Sequence, residues 1–212
     1  AWQVRPDWDD LVFPYDFPPE RQPTSLKPRQ RLIGEAEFVP VQNQYGGFVY
    51  AGATMAFTTA YWVLGHYNPR EIAFLGCDMS YPKSSKTHFY GTGTADPLRE
   101  DITLISLEAK AARLYALALA QGCEITNLSQ ETSRLIAPRR SLLEPRPEPF
   151  EIDKVQKARA LAREQELAYY VASGRYWEEL ERFDIEQIKR LDALWSNVVI
   201  APKEAAALMR GY

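Results

Sequence analysis

The run Thr87-His88-Phe89-Tyr90-Gly91-Thr92-Gly93-Thr94 places an imidazole, a phenol, two glycines and three threonines within eight residues. An imidazole titrates near neutral pH, so His88 can take a proton from an attacking hydroxyl or steady a phosphate leaving group. Tyr90 can donate a hydrogen bond to a phosphate oxygen, and Gly91 and Gly93 permit the loop to close over a ligand. A surface loop with an incidental histidine is the plain alternative. The other histidine, His66, follows Gly65 and reads as a helix C-terminal residue near free carbonyls. Asp78 ends the apolar run from Ile72. There it could bind a ribose hydroxyl, hold a metal or orient a substrate, or simply form a turn. Asn127 and Ser129 end another apolar run, and Asn127 suits either a base or sugar edge or an Asx turn. Gly46, Gly47, Gly52, Ala53 and Thr54 surround a helix start, where free N–H groups suit a phosphate or ordinary capping. That stretch is neither a Walker loop nor G-x-G-x-x-G. Arg134, Arg139 and Arg140 form a basic patch that can neutralise a phosphate or carboxylate, or be solvated.

The pattern of elements nominates these residues by position. Gly47 to Tyr50 is a short strand candidate, a helix is expected over about 53–64, and Gly65 is its natural stop. Glu71 to Gly76 is an apolar strand without alternation, as expected of a strand covered on both faces. A polar loop follows to about Glu100. Thr103 to Gln121 is an amphipathic helix with Leu104, Leu107, Ala111, Leu114, Leu117 and Ala118 on one stripe, and Gly122 ends it. Cys123 to Asn127 is another strand. The repeated order helix, glycine, strand predicts βαβ units. The fold expected is α/β, Rossmann-like, with a mainly parallel sheet and helices on both faces. Ligands on such sheets bind outside the carboxyl ends of the strands, which puts Gly52 to Thr54, Asp78 and Asn127 to Ser129 on one rim.

Residues 1–44 form a proline-rich extended arm, with Pro6, Pro14, Pro18, Pro19, Pro23, Pro28 and Pro40 and several aromatics that suit wrapping a surface. Residues 45–150 are the nucleotide-binding α/β domain, closed by a linker with Pro138, Pro145, Pro147 and Pro149. Residues 151–212 are a helical extension, with segments near 152–172, 175–195 and 203–210. Its Tyr169, Tyr170, Tyr176 and Trp177 suit packing on the core or a homo-oligomer contact.

The 212 residues carry a net charge of −3, which argues against broad electrostatic binding of nucleic acid. Two cysteines exclude a disulfide framework and a cysteine zinc cluster. The stretch from Phe38 to Pro69 has no charged side chain, yet it is too polar and its apolar part too short for a membrane span. The chain begins at Ala1 without a signal-peptide pattern, so a natural N-terminus upstream and a cytoplasmic location, with peripheral contact at the inner membrane as an option, are expected.

Together these residues resemble the bacterial family-42 sialyltransferases and the related motility-accessory and 6-hydroxymethylpterin diphosphokinase-like proteins. The similar segments are Gly52-Ala53-Thr54, Trp62 to Gly65, Glu71 to Tyr81, Thr87 to Gly91 and Thr126 to Ser129, spanning roughly 50–137. The resemblance implies a transferase that takes a nucleotide-activated sugar and passes it to a glycan acceptor in surface glycan synthesis. It implies no metal, with the nucleotide near Ala53, Thr54, Asn127 and Ser129. The loop after Asp78, with Tyr81, Gly91 and Thr92, would meet phosphate and sugar; Arg139 and Arg140, beyond the similar segment, are binding candidates by their charge alone. The family's catalytic His stands in a His-Tyr-x-Gly-His type run; here the run is His88 to Thr92, with Thr92 in the last place. His88, Asp78 and Tyr90 are therefore the candidate catalytic residues. The alternatives are a diphosphokinase-like enzyme using Mg²⁺ with Asp78 as first ligand, and a non-catalytic ligand-binding or assembly module.

Overall fold

The computed structural model describes residues 38–79 and 101–200. Residues 1–37 of the proline-rich arm, the loop holding Tyr81, His88, Tyr90, Gly91 and Thr92, and the helix expected at 203–210 lie outside the described residues; the end of the arm is not extended, since Val39–Gln44 is helical with Val41 and Gln42 buried. The chain divides into two compact units, Ala1–Pro40 with Tyr81–Pro97 and Val41–Ser80 with Leu98–Tyr212. Residues 38–40 are the only described part of the first unit, and the described chain from Val41 onward belongs to the second.

The described chain is α/β, with six α-helices and a small parallel sheet. The helices are α1 (Val39–Gln44), α2 (Phe48–Ala51), α3 (Met55–Tyr67), α4 (Leu107–Ala120), α5 (Lys154–Leu167) and α6 (Ile185–Ser196). Strands β1 (Glu71–Phe74) and β2 (Glu124–Asn127) pair in parallel, Glu71 opposite Glu124 and Phe74 opposite Asn127. A parallel bridge from Asn127 to Arg139 adds a single-residue third track. Strands β3 (Glu151–Ile152) and β4 (Val199–Ile200) form a separate antiparallel pair.

Local chemistry accounts for most helix ends. The Thr54 hydroxyl accepts the Phe57 N–H at 3.3 Å, and Asn68 closes α3 in the left-handed region with its N–H on the Leu64 carbonyl. Ser106 caps α4, while Asp153 and Asp184 cap α5 and α6. Helix α3 buries Phe57, Ala60, Tyr61 and Leu64, the i, i+3, i+4, i+7 stripe of one helical face.

Helix α4 departs from the expected one-sided stripe: ten of its fourteen residues are buried. Its Leu107, Ala111, Leu114 and Ala118 join α3 and the sheet in one core. Its Ala109 and Ala116 join Ala160, Ile188, Leu191 and Trp195 of α5 and α6 in a second. A helix between two apolar layers must be buried on most of its surface.

Three further expectations are corrected. Gly47 to Tyr50 is no strand: Phe48–Ala51 is a helical turn whose Tyr50 and Ala51 N–H groups return to the Gly47 carbonyl. Burial of Val49 and Tyr50 in the second core overrides the strand preference of an aromatic and β-branched run. Gly65 does not stop α3, which continues to Tyr67. A Cβ there would stand 2.6 Å from Val41 Cγ1, so glycine serves close helix packing. Strand β1 is not covered on both faces, because Ala73 is exposed and Leu75 is 70% exposed.

Candidate functional site at the strand ends

Where β1 and β2 end, the chain folds back on itself through short polar contacts. The Leu128 N–H donates to the Phe74 carbonyl and the Arg134 N–H to the Asp78 carbonyl, both at 2.8 Å. These hold the segments after the two strands side by side. Within them, Ser129 Oγ donates to Asp78 Oδ2 at 2.7 Å. Asn127 Oδ1 accepts the Ser129 N–H at 2.9 Å, and Asn127 Nδ2 donates to Ser133 Oγ at 3.1 Å. Asn127 thus makes the Asx turn that its position allowed. It is 1% exposed, and its side chain is held inside the loop.

The basic patch separates into three different environments. Arg134 forms a two-pronged pair with Glu108, at 2.6 and 2.9 Å, on the first turn of α4. Arg140 reaches across to Glu71 Oε1 at 2.7 Å, an oxygen that also accepts the Thr126 hydroxyl. Burial alone would raise the Glu71 pKa; the Thr126 hydroxyl and the Arg140 guanidinium overcome this and hold it below its ordinary value. Arg139 donates to the carbonyls of Glu131 at 2.6 Å and Ser129 at 3.3 Å. It has no carboxylate partner among the described residues, and its side chain is part-exposed beside the Asp78–Ser129 contact. Of the three arginines, Arg139 is the one without an ion pair among the described residues.

The remaining predicted residues lie at the start of α3. Gly52 ends α2, where a Cβ would meet the Phe48 carbonyl oxygen at 2.3 Å. Ala53 has φ +92°, a conformation costly for a residue with a Cβ. Thr54 spends its hydroxyl on capping α3. Met55 and Ala56, just past Thr54, and Cys77, just before Asp78, line one groove with Phe74 and Leu75. Burial, then the Asp78 charge, push the Cys77 thiol up, which makes it a poor nucleophile. His66 is exposed in the last turn of α3 and stacks on Trp62 at 4.9 Å between ring centres.

The sequence reading missed a second polar centre, inside the helical layer. Arg113 is 2% exposed and Glu164 7%, and they pair at 2.6 and 2.8 Å. Arg113 also donates to Tyr61 Oη and the Tyr45 carbonyl, and Trp195 Nε1 donates to Glu164 Oε1. Burial opposes the Arg113 charge, but Glu164 overcomes it and raises the pKa above its ordinary value. The Tyr50 and Tyr61 phenols are pushed up to about 12, chiefly by burial. The available signal was two cations, Lys110 and Arg113, set in a run of alanines and leucines.

Among the described residues no group of three or more His, Cys, Asp or Glu side chains could hold a metal ion. No described helix is long and apolar enough to cross a membrane. In comparisons with known proteins, no family model, no curated protein and no solved structure matches the chain.

Proposed function

We propose that this chain is a transferase acting on a nucleotide-activated sugar, with its site at the carboxyl ends of β1 and β2. The observation that carries the reading is the convergence of Asp78, Asn127 and Ser129 there, with Arg139 beside them bonded to backbone carbonyls and in no ion pair among the described residues. Ligands on parallel sheets bind at this edge, and an arginine with donors to spare suits a phosphate. In the same reading, β1, β2 and the track at Arg139 are the parallel sheet of a Rossmann-like fold. The protein works in the cytoplasm on a glycan acceptor, with the donor's phosphates toward Ala53, Thr54 and Arg139. The acceptor hydroxyl gives its proton to His88 and forms the new bond to the sugar carbon. The bond from that carbon to the phosphate oxygen breaks, and the nucleotide leaves with that electron pair, helped by a hydrogen bond from Tyr90.

One specific observation favours a second reading, a non-catalytic binding or assembly module: Asn127 and Ser129 spend their side chains on Ser133 and Asp78. A thermal-shift screen separates the readings. A ligand at a hundred times its Kd adds about 2.7 kcal/mol, and each kcal/mol moves Tm by about 2–4 °C in a chain of this size. The transferase reading, whose sialyltransferase resemblance implies a cytidine-monophosphate sugar as donor, expects such a shift with cytidine nucleotides in EDTA, lost in Arg139→Ala. A shift with ATP only when Mg²⁺ is added would replace it with the diphosphokinase-like reading. No shift with any nucleotide would leave the binding module.

A further inference from the structure

A cavity of about 510 Å³ opens between α4 and α5, within the size range of small-molecule sites. Its lining shares no residue with the strand-end site. Leu117 and Ala120 of α4 and Leu161 of α5 supply aliphatic wall, and Tyr45, Tyr50 and Tyr170 supply aromatic wall. Arg113 and Glu164 also line it, and apart from this pair no described lining residue carries a charge. The pair offsets its own charge, so an ionic ligand would bring a buried charge without a counter-charge.

The two carboxylate oxygens are used unequally. Glu164 Oε1 accepts from both Arg113 Nε and Trp195 Nε1, whereas Oε2 accepts one bond, from Arg113 Nη2. A carboxylate oxygen has room for a second donor. The backbone beside Oε2 is Gly46, at φ +89°; a Cβ there would stand 3.9 Å from Oε2, 3.5 Å from Arg113 Nη2 and 3.0 Å from Tyr50 Cδ2. Gly46 lines the cavity and adds no side chain over Oε2.

We propose that this cavity is a binding site for a small, uncharged, planar heteroaromatic molecule whose ring N–H donates to Glu164 Oε2. The tyrosine rings favour a flat π-faced ligand, the aliphatic wall its body, and the half-used oxygen its single donor. The proposal is independent of the transferase reading.

Indole is the probe, titrated into the full chain and followed by amide chemical shifts, with 1-methylindole as the control that lacks the N–H. Indole should shift the signals of Gly46 and Leu161, and 1-methylindole should bind at least about tenfold more weakly, the loss expected for a hydrogen bond to a charged acceptor. Leu161→Trp, which fills the cavity from a half-buried helical position, should abolish binding while leaving Tm at or above its original value. Ala120→Phe fills it from α4 and stands in if the first variant does not fold. Three results would overturn the proposal: no indole binding up to its solubility, equal affinity for 1-methylindole, or undiminished binding in the folded cavity-filled variant.

Discussion

The strand ends and the helical layer both bring charged residues together, yet they do so on different terms. At the strand ends the ion pairs are partly wet: Arg134 and Glu108 have side chains 38% and 39% exposed, and Arg140 and Glu71 have 11% and 22%. In the layer between α4, α5 and α6, four charged side chains are almost wholly buried: Lys110, Arg113, Glu164 and Asp192. Within that layer the two pairs differ again. Arg113 and Glu164 meet in two short bonds, while Lys110 Nζ stands 3.9 Å from Asp192 Oδ1 and donates instead to the Val49 carbonyl at 2.8 Å. Asp192 Oδ2 is buried with no hydrogen-bond partner among the described residues. Burial alone therefore does not fix what a charge contributes; the fit of its partner does.

The largest expected effect follows from breaking the well-fitted pair. Arg113→Met leaves Glu164 buried without its guanidinium, a change that costs about 3–5 kcal/mol. Urea unfolding should show this as a lower midpoint with an unchanged slope. Replacing both partners, Arg113→Met with Glu164→Leu, should recover most of the loss, since no uncompensated charge is left. A double variant as unstable as the single one would mean that the bonds to Tyr61, Tyr45 and Trp195 matter more than the pair.

Next in size is the loose pair. Burial, only partly offset by Lys110, raises the Asp192 pKa above 3.8, and burial lowers that of Lys110 below 10.5. An acid with a raised pKa in the folded state binds more protons folded than unfolded between the two values. Its stabilising contribution is present below 3.8 and is lost as pH rises through the folded value. The effect on Lys110 has the opposite slope, its penalty being relieved as pH climbs toward 10.5. The original chain should therefore lose stability relative to Asp192→Asn as pH rises above 3.8. The stability difference from urea titrations at a series of pH values checks this, and a difference independent of pH would mean that Asp192 keeps its ordinary pKa in the folded chain.

Sequence legibility divides along the same line. Helices α3, α4 and α5 and strands β1 and β2 were readable because apolar spacing and Gly122 are local signals. The Phe48–Ala51 turn was not, because its fate depends on a core assembled from residues far along the chain. At the strand ends, topology alone nominated Asp78 and Ser129, though their direct contact across 51 residues was not visible. Arg113 and Glu164 are also 51 residues apart, and neither stands at a strand end, a turn or a motif. Sequence shows a charge on an apolar helix but not the partner that makes it tolerable. Arg140 shows the converse: it looked like a spare cation until the structure placed Glu71 on it.

The smallest expected effect is at the strand ends, where Arg134 joins Glu108 to the loop after β1 through its bond to the Met79 carbonyl. Glu108 lies in the first turn of α4, so its charge also meets the helix dipole favourably. Burial would raise its pKa; the Arg134 hydrogen bond and charge and a backbone hydrogen bond overcome this and lower it. That contribution is present above the ordinary carboxylate range and is lost as pH falls through the lowered value. With both side chains more than a third exposed, solvent screens the pair, and Arg134→Ala should cost no more than about 1 kcal/mol. Salt then gives the sharpest contrast between the two regions. Raising ionic strength to about 1 M shortens the screening length to about 3 Å, which should shrink the Arg134→Ala penalty. The Arg113→Met penalty should persist, because the Arg113 and Glu164 side chains are only 3% and 7% exposed and buried pairs are screened much less. If both penalties fall in parallel, the helical layer admits solvent and its charges are governed by the same screening as the surface.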